Sequence, residues 1–159
     1  MALTKIRQSG IATGVLPIVK SAFSAGLASN QAISGTTKIN FVTNATLFQN
    51  FDLNSDFDNT ANKFTAPVAG IYIFQVSLYD VTSSQQVYGI QMFVNNGRKQ
   101  NLVMTKANSP SNESYSGGTT VWKADVGDYI QMYAVPSGDL TISANEFHTY
   151  CFGYLLGGV

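Results

Sequence analysis

Charged residues are scarce in this chain of 159 residues: they make up 11% of it, and nine Lys and Arg balance nine Asp and Glu. Soluble domains contain roughly 25% charged residues on average. The balance leaves no basic footprint for nucleic acid or for an anionic membrane surface, so we expect neither partner. Because the surface carries few charges, the composition favours a protein that is held in an assembly.

Cysteine and histidine are almost absent, with Cys151 and His148 as the only examples. A single cysteine excludes an intrachain disulfide and a zinc site built from cysteines. The two residues could in principle act as nucleophile and base. A spacing of three along a strand places their side chains on opposite faces, however, and no orienting carboxylate is evident. We therefore predict no catalytic residues and no enzyme.

Long apolar runs are also missing. No stretch approaches the roughly 20 residues of a membrane span, and Lys5 and Arg7 are not followed by an apolar run of signal-peptide length. There is no Gly-X-Y repeat of a collagen stalk. From these absences we expect neither a membrane anchor nor secretion by the usual route.

What the chain does contain is a strong strand pattern from Gly70 to Leu78. Its bulky residues Tyr72, Phe74 and Val76 recur at every second position, which is the periodicity of a β-strand. Pro67 cannot donate to a sheet ladder, and we expect Gly70 to adopt positive φ. The sequence therefore predicts a corner followed by a long central strand.

Other segments of the chain also read as short strands separated by turns. The Asn95-Asn96-Gly97 sequence predicts a type I′ hairpin. Strands are predicted at 21–28, 37–42, 45–51, 86–95, 99–104, 119–123, 129–135, 140–143 and 147–156. Roughly ten strands and no convincing helix predict a single-domain all-β sandwich, and the strand pattern alone does not separate a jelly roll from another sandwich.

The residues of the corner and the central strand carry a family resemblance. Phe64, Pro67, Gly70, Tyr72 and Phe74 resemble the signature of the C1q globular head, a family similar to tumour necrosis factor. The likeness continues at Phe57-Asp58, Ala22 to Ala25, Gly127-Asp128 and Phe152 to Leu156, and so covers residues 21–159. Thr46, Val76 and Asn62 depart from the pattern. The resemblance implies a ten-stranded C1q/TNF-like jelly roll and a compact homotrimer.

Aromatic residues are plentiful, with ten Phe, eight Tyr and one Trp. They could form the core, a subunit interface or a platform for sugars. The resemblance suggests that subunits meet near the chain ends, and Ile71 and Ile73 lie opposite the heavy face of the central strand. The predicted trimer interface is Phe23, Ile71, Ile73, Tyr150, Phe152 and Tyr154.

Residues 1–20 are broken by Gly10, Gly14 and Pro17 and are predicted to form an extended N-terminal arm. The opening Met1 to Ile6 resembles the start of many bacteriophage structural proteins. We therefore expect a trimeric capsid or head decoration protein, assembled in the host cytoplasm and located in the virion. Attachment to the major capsid protein or another virion protein is assigned to Leu3, Ile6, Ile11, Val15 and Leu16.

An alternative function is a receptor- or glycan-binding tip of a tail or head fibre, with a host surface glycan or receptor as partner. Recognition would then fall to the loops 52–63 and 108–118, which are polar and free of strand periodicity.

The first of these loops offers oxygen ligands at Asp52, Asn54, Asp56 and Asp58. An EF-hand would need glycine and glutamate where the chain has Phe57 and Lys63. We predict no metal site, and a calcium site of another type on the three Asp residues stays open.

Overall fold

The computed structural model describes residues 21–44, 50–82, 87–106, 114–145 and 147–158. The five predicted attachment residues, Leu3, Ile6, Ile11, Val15 and Leu16, lie outside these ranges, as do most of the strand predicted at 45–51 and the first half of the loop predicted at 108–118. Within the described residues there is no helix long and apolar enough to cross a membrane.

The described residues form two antiparallel sheets that contain fourteen strand segments. The first sheet contains β1 (Ala22–Leu27), β2 (Gln31–Ile33), β4 (Phe41–Val42), β5 (Phe51–Asp52), β8 (Gly70–Asp80), β11 (Ser114–Ala124), β13 (Leu140–Ile142) and β14 (Tyr150–Gly158). The second contains β3 (Thr37–Lys38), β6 (Phe57–Asp58), β7 (Lys63–Thr65), β9 (Val87–Val94), β10 (Gly97–Lys106) and β12 (Tyr129–Pro136). The all-β sandwich predicted from the sequence is confirmed; the segments outnumber the ten expected strands because several edges are broken into pieces of two or three residues.

The central strand is β8, which is paired along its length on both sides. It runs antiparallel to β11 from Gly70↔Ala124 to Asp80↔Ser114, and antiparallel to β14 on its other edge. The predicted alternation is present, because Tyr72, Phe74 and Val76 are fully buried. Ile71 and Ile73 occupy the opposite side and are half-buried.

Aromatic rings fill the space between the two sheets. The Phe23 ring lies 4.9 Å from Phe57 and 5.1 Å from Phe64, measured between centroids. Phe64 in turn meets Tyr72 and Phe74 edge-on at 5.6 and 5.7 Å. Edge-on and offset ring pairs add roughly 0.5–1.5 kcal/mol each beyond area burial, so this cluster fixes how the sheets face each other.

The corner before β8 is present, but the predicted reason for its glycine is wrong. Gly70 does not adopt positive φ. Instead it lies against β14: a Cβ atom at Gly70 would come within 2.5 Å of Leu155 Cδ1 and 2.8 Å of the backbone oxygen of Gly157. Glycine is needed here because the two strands approach closely, and the sequence pattern does not reveal that approach.

The hairpin turn predicted at Asn95-Asn96-Gly97 is confirmed by the backbone angles. Asn95 and Asn96 have φ of 51° and 64°, as a type I′ hairpin requires, and they connect β9 to β10. Asn62, at the position where the family pattern has glycine, has φ of 47°. Asparagine tolerates this left-handed conformation better than other non-glycine residues, so the substitution is mild.

Several strand boundaries differ from the sequence prediction, and two of the differences have a clear cause. β11 begins at Ser114 rather than Thr119, because Ser116, Gly117 and their neighbours pair with β8 despite their polar character. β14 begins at Tyr150 rather than Phe147, because the amides of His148 and Thr149 donate to the Asn145 carbonyl and close a turn. In both cases backbone pairing overrides the side-chain pattern.

We predict that Gly70→Ala lowers the free energy of unfolding by about 1–3 kcal/mol, and Gly70→Val by more, because the new carbon meets a backbone oxygen of β14 that cannot rotate away. Denaturant unfolding at matched protein concentration measures this. Gly157→Ala is the control: its Cβ would meet nothing within 4 Å, so its effect should stay within about 0.5 kcal/mol. Equal stability of the Gly70 variants and the parent would contradict the close approach.

Candidate oligomerisation surface

A ladder of aromatic rings runs along the outward side of β14. Tyr150, Phe152 and Tyr154 alternate with the buried Cys151 and Gly153. Successive ring centroids are 6.4 and 6.5 Å apart, and the ring planes are 7° and 17° from parallel. The spacing follows from the strand repeat, which places every second side chain on the same side.

Glycine at 153 allows the ladder strand to lie close over the core. A Cβ atom at this position would come within 2.6 Å of Phe74 Cδ1 and 2.7 Å of Phe23 Cε1. The core rings of Phe74 and Phe23 therefore pack directly against the backbone of β14 at Gly153, while the rings of β14 itself point outward.

Apolar side chains of β8 and β11 extend the ladder sideways. Tyr154 is opposite Ile73 in the β14–β8 register, and Val121 is opposite Ile73 on the other edge of β8. Val121 is 56% exposed and Tyr154 39% exposed. We call the outward side of β1, β14, β8 and β11 the aromatic face.

Few charges interrupt the aromatic face. Lys123, opposite Ile71, is the one charged residue at the outward positions of β8, β11 and β14. A hydrogen bond between two neutral side chains connects β8 and β14 on this face: Gln75 donates from Nε2 to the Tyr150 hydroxyl at 3.3 Å. Beside the ladder an open depression of about 310 Å³ is bordered by Ser24, Phe51 and Phe152. A surface of this kind requires little desolvation of charge when it is covered.

Five of the six residues predicted for the trimer interface lie together on this face: Ile71, Ile73, Tyr150, Phe152 and Tyr154. Phe23 does not, because it is 2% exposed and packs inside the core. In β1 the residues Ala22 and Ser24 face outward, so the alternation sends Phe23 inward. The period-two rule alone places Phe23 on the side opposite Ala22 and Ser24, and nearness to the chain end does not predict which side a residue faces.

The predicted set leaves out several exposed residues of this surface, Val121 and Phe51 among them. Val121 lies on a strand that the sequence analysis found, but its side became clear only from pairing with Ile73. Phe51, 41% exposed, reaches the face because β5 pairs with β1 at Ser24. Both side chains are apolar, and the strand register places them on this surface.

A second ring cluster occupies one end of the aromatic face. The rings of Tyr79 and Tyr115 stack at 4.9 Å with planes 6° apart, and His148 meets them edge-on at 5.3 and 4.6 Å. Tyr115 is 53% exposed. His148 is thus a packing partner of two tyrosines on the outward side.

Cys151 lies on the other side of the same sheet, in the core. It is 2% exposed, and burial raises the pKa of its thiol well above the ordinary range. A raised pKa keeps the thiol protonated, so the nucleophilic thiolate is depleted at neutral pH. His148 and Cys151 do not form a catalytic pair.

The three Asp residues of loop 52–63 are engaged with nearby protein donors. Asp52 accepts hydrogen bonds from the amides of Asp56 and Phe57, and Asp56 Oδ2 accepts one from the Ser21 hydroxyl.

Asp58 is a turn residue of the same kind. The pKa of Asp58 is held below its ordinary value chiefly by the Ala61 amide, assisted by the amide of Thr60 and the charges of Lys63 and Lys38. Among the described residues no group of three or more His, Cys, Asp or Glu is arranged to hold a metal ion. These carboxylates organise turns.

Comparison with known proteins gives a family and a fold. The family model for the C1q domain matches residues 22–156. No curated relative matches the chain.

Solved structures show the same fold at low sequence identity. The globular domain of zebrafish complement 1qA has a TM-score of 0.62 at 17% identity and covers 88% of this chain and 100% of its own. Murine APRIL has a TM-score of 0.61 at 12% identity and covers 86% of this chain and 99% of its own. Eiger TNF from S. frugiperda has a TM-score of 0.60 at 12% identity and covers 88% of this chain and 93% of its own.

We predict that Cys151 of the folded protein resists alkylation by iodoacetamide at pH 8, reacting about a hundredfold or more slowly than in the unfolded chain. The reason is burial, which hides the sulfur and raises its pKa. Mass spectrometry of the labelled protein measures the rate. Labelling of Val126→Cys in its exposed turn is the control, and rapid modification of Cys151 itself would contradict its placement in the core.

Proposed function

The chain belongs to the C1q domain family, and from that premise we propose that it is a non-enzymatic structural and binding module that works as a homotrimer. The family and its structural relatives are generally non-enzymatic and typically homotrimeric, which supports both parts of the proposal. Three copies would bury their aromatic faces against one another.

The observation that carries this proposal is the aromatic face itself. Tyr150, Phe152 and Tyr154 form a continuous ladder beside Ile73 and Val121, with Lys123 at the end. A contiguous apolar surface marks an interaction site, because leaving it in water costs about 25 cal/mol per Å². Aromatic residues near the centre of an interface also contribute most of the binding energy.

The charge distribution supports association of identical copies. Identical faces meet with little repulsion only if they carry few like charges. The outward positions of β8 and β14 carry none, and those of β11 carry Lys123 alone. The surface where copies would meet is therefore poor in charge, as the whole sequence is.

We predict that Tyr154→Glu weakens self-association by at least about thirtyfold, since burying an unpaired carboxylate at this site removes a hot-spot ring and adds a desolvation cost. Analytical ultracentrifugation across a concentration series measures the oligomer. The control is Val126→Glu, which adds the same charge at a 68% exposed residue outside the aromatic face. A parent protein that sediments as a monomer at micromolar concentration would overturn the proposal.

The cellular role we propose is decoration of a bacteriophage capsid or head. The resemblance of the first residues to phage structural proteins supports it, as does the scarcity of charge. In the described residues the chain enters β1 from Ser21, whose carbonyl accepts the Leu155 amide, so residues 1–20 precede a strand at the edge of the trimer surface. Three arms in one trimer would multiply a weak attachment to the major capsid protein.

We predict that deletion of residues 1–20 leaves a folded trimer that no longer sediments with virus particles. Replacing Leu3, Ile6, Ile11, Val15 and Leu16 by serine should have the same effect, because these side chains supply the apolar contacts. Thr4→Ala with Gln8→Ala is the control and should still attach. Co-sedimentation with purified particles measures attachment, and unchanged binding of the deletion variant would refute the arm assignment.

A receptor- or glycan-binding tip of a fibre is the second candidate function. A different observation favours it: the second sheet exposes aromatic rings beside cationic side chains on its outward surface. This surface lies on the opposite side of the sandwich from the aromatic face, so a trimer would leave it open to a ligand.

A further inference from the structure

Positive charge is concentrated on one of the two sheets. Five strands of the second sheet, β3, β7, β9, β10 and β12, contain no Asp or Glu. The same strands contain Lys38, Lys63, Arg98, Lys99 and Lys106. In a chain whose basic and acidic residues balance overall, this is a local excess. We call the outward side of these strands the cationic face.

Strand alternation brings rings, amides and a guanidinium together on this face. Tyr88, Ile90 and Met92 of β9 are buried in the core, so Gln91 and Phe93 point outward. Arg98 is paired with Phe93, and Tyr133 with Gln91, which places all four on the same side. The rings of Phe93 and Tyr133 lie 4.1 Å apart at 31° and are half-buried, while Arg98 is exposed.

Two lysines mark the margin of this ring pair. Lys63 Nζ lies 4.8 Å from the centroid of Tyr129, a cation–π contact. Lys38, opposite Tyr133 in the register, donates from Nζ to the Ala61 carbonyl at 2.8 Å. Both ammonium groups are therefore held in place by neutral partners.

Asp58 reduces the excess of positive charge at one edge of the sheet. Asp58 of β6 is opposite Lys63, and the positive charges of Lys63 and Lys38 help to lower the pKa of Asp58. Arg98 lies on β10, at the other edge of the sheet from β6, and neither β9 nor β10 contains an acidic residue. Asp128, just before β12, is the carboxylate beside the β9–β10 turn, where it accepts a hydrogen bond from the Asn95 side chain at 2.7 Å.

We propose that the cationic face binds an acidic saccharide. The negative ring faces of Phe93 and Tyr133 attract the polarised C–H groups of a pyranose ring, and Gln91 supplies an amide for its hydroxyls. A carboxylate or sulfate on the sugar would then pair with Arg98, whose planar fork matches such anions.

The combination of groups selects this ligand class. A neutral glycan would use the rings but not the cations. A nucleic acid needs a strongly basic domain, and this chain has a formal net charge of zero. An acidic glycan uses the rings, the amide and the guanidinium together, and so matches the charge of the surface.

The inference names the ligand class and the surface for the second candidate function, and it does not depend on trimer formation. Its residues lie on the second sheet, whereas the proposed trimer contact lies on the first. Saccharide binding and oligomeric state can therefore fail separately, and sedimentation of each variant distinguishes the two failures.

The test is calorimetric titration of the full chain with a heparin hexasaccharide and with an oligogalacturonate. We expect saturable binding of at least one of them, weakened by added salt, and binding of neutral maltohexaose about tenfold weaker or worse. Arg98→Ala and Tyr133→Ala should each weaken binding about tenfold. Lys123→Ala, which removes one cation from the other sheet, is the matched control and should bind as the parent does.

Three outcomes would overturn the proposal: no saturation by either acidic saccharide, equal binding of the Arg98→Ala variant and the parent, or tighter binding of a poly-dT oligonucleotide than of either sugar. Because Arg98 is exposed, its variant is expected to fold, which a circular dichroism spectrum checks. Arg98→Ala therefore decides the matter even if Tyr133→Ala unfolds.

Discussion

The alternation of side chains along β8 is the constraint on which the rest of the structure depends. Tyr72, Phe74, Val76 and Leu78 are all fully buried on one side of the strand. Paired along its length by β11 and β14, the strand cannot shift by one residue without moving these side chains out of the core and Ile71 and Ile73 into it. One register thus determines both the core and the surface proposed for association.

The two sheets of the sandwich carry different chemistry on their outward sides. The aromatic face is apolar with neutral polar links, while the cationic face combines rings with lysine and arginine. Self-association requires a face that repels no identical copy, and capture of an acidic ligand requires the opposite kind of surface. Dividing these requirements between two sheets would let one small domain serve both proposed roles, because the core separates the faces.

Close strand packing explains several residues that a pattern of hydrophobicity does not. Gly70 and Gly153 lie where a Cβ atom would meet β14 and the core rings, and at Gly118 it would lie 2.7 Å from the Leu102 carbonyl oxygen, where β11 of one sheet approaches β10 of the other. None of the three has positive φ. Glycine is therefore required at these positions because neighbouring strands or rings lie too close for a Cβ atom, and only tertiary contacts reveal such distances.

Period-two patterns and turn chemistry act over a few neighbouring residues, so the all-β class, the central strand and the Asn95-Asn96 hairpin could be predicted from the chain alone. The family resemblance helped to predict five residues of the aromatic face. Long-range strand pairing was needed to place Val121 and Phe51 on the surface and Arg98 opposite Phe93. The physical reason is strand pairing: it joins residues distant in the chain, and the register of each pair is not written in either strand alone.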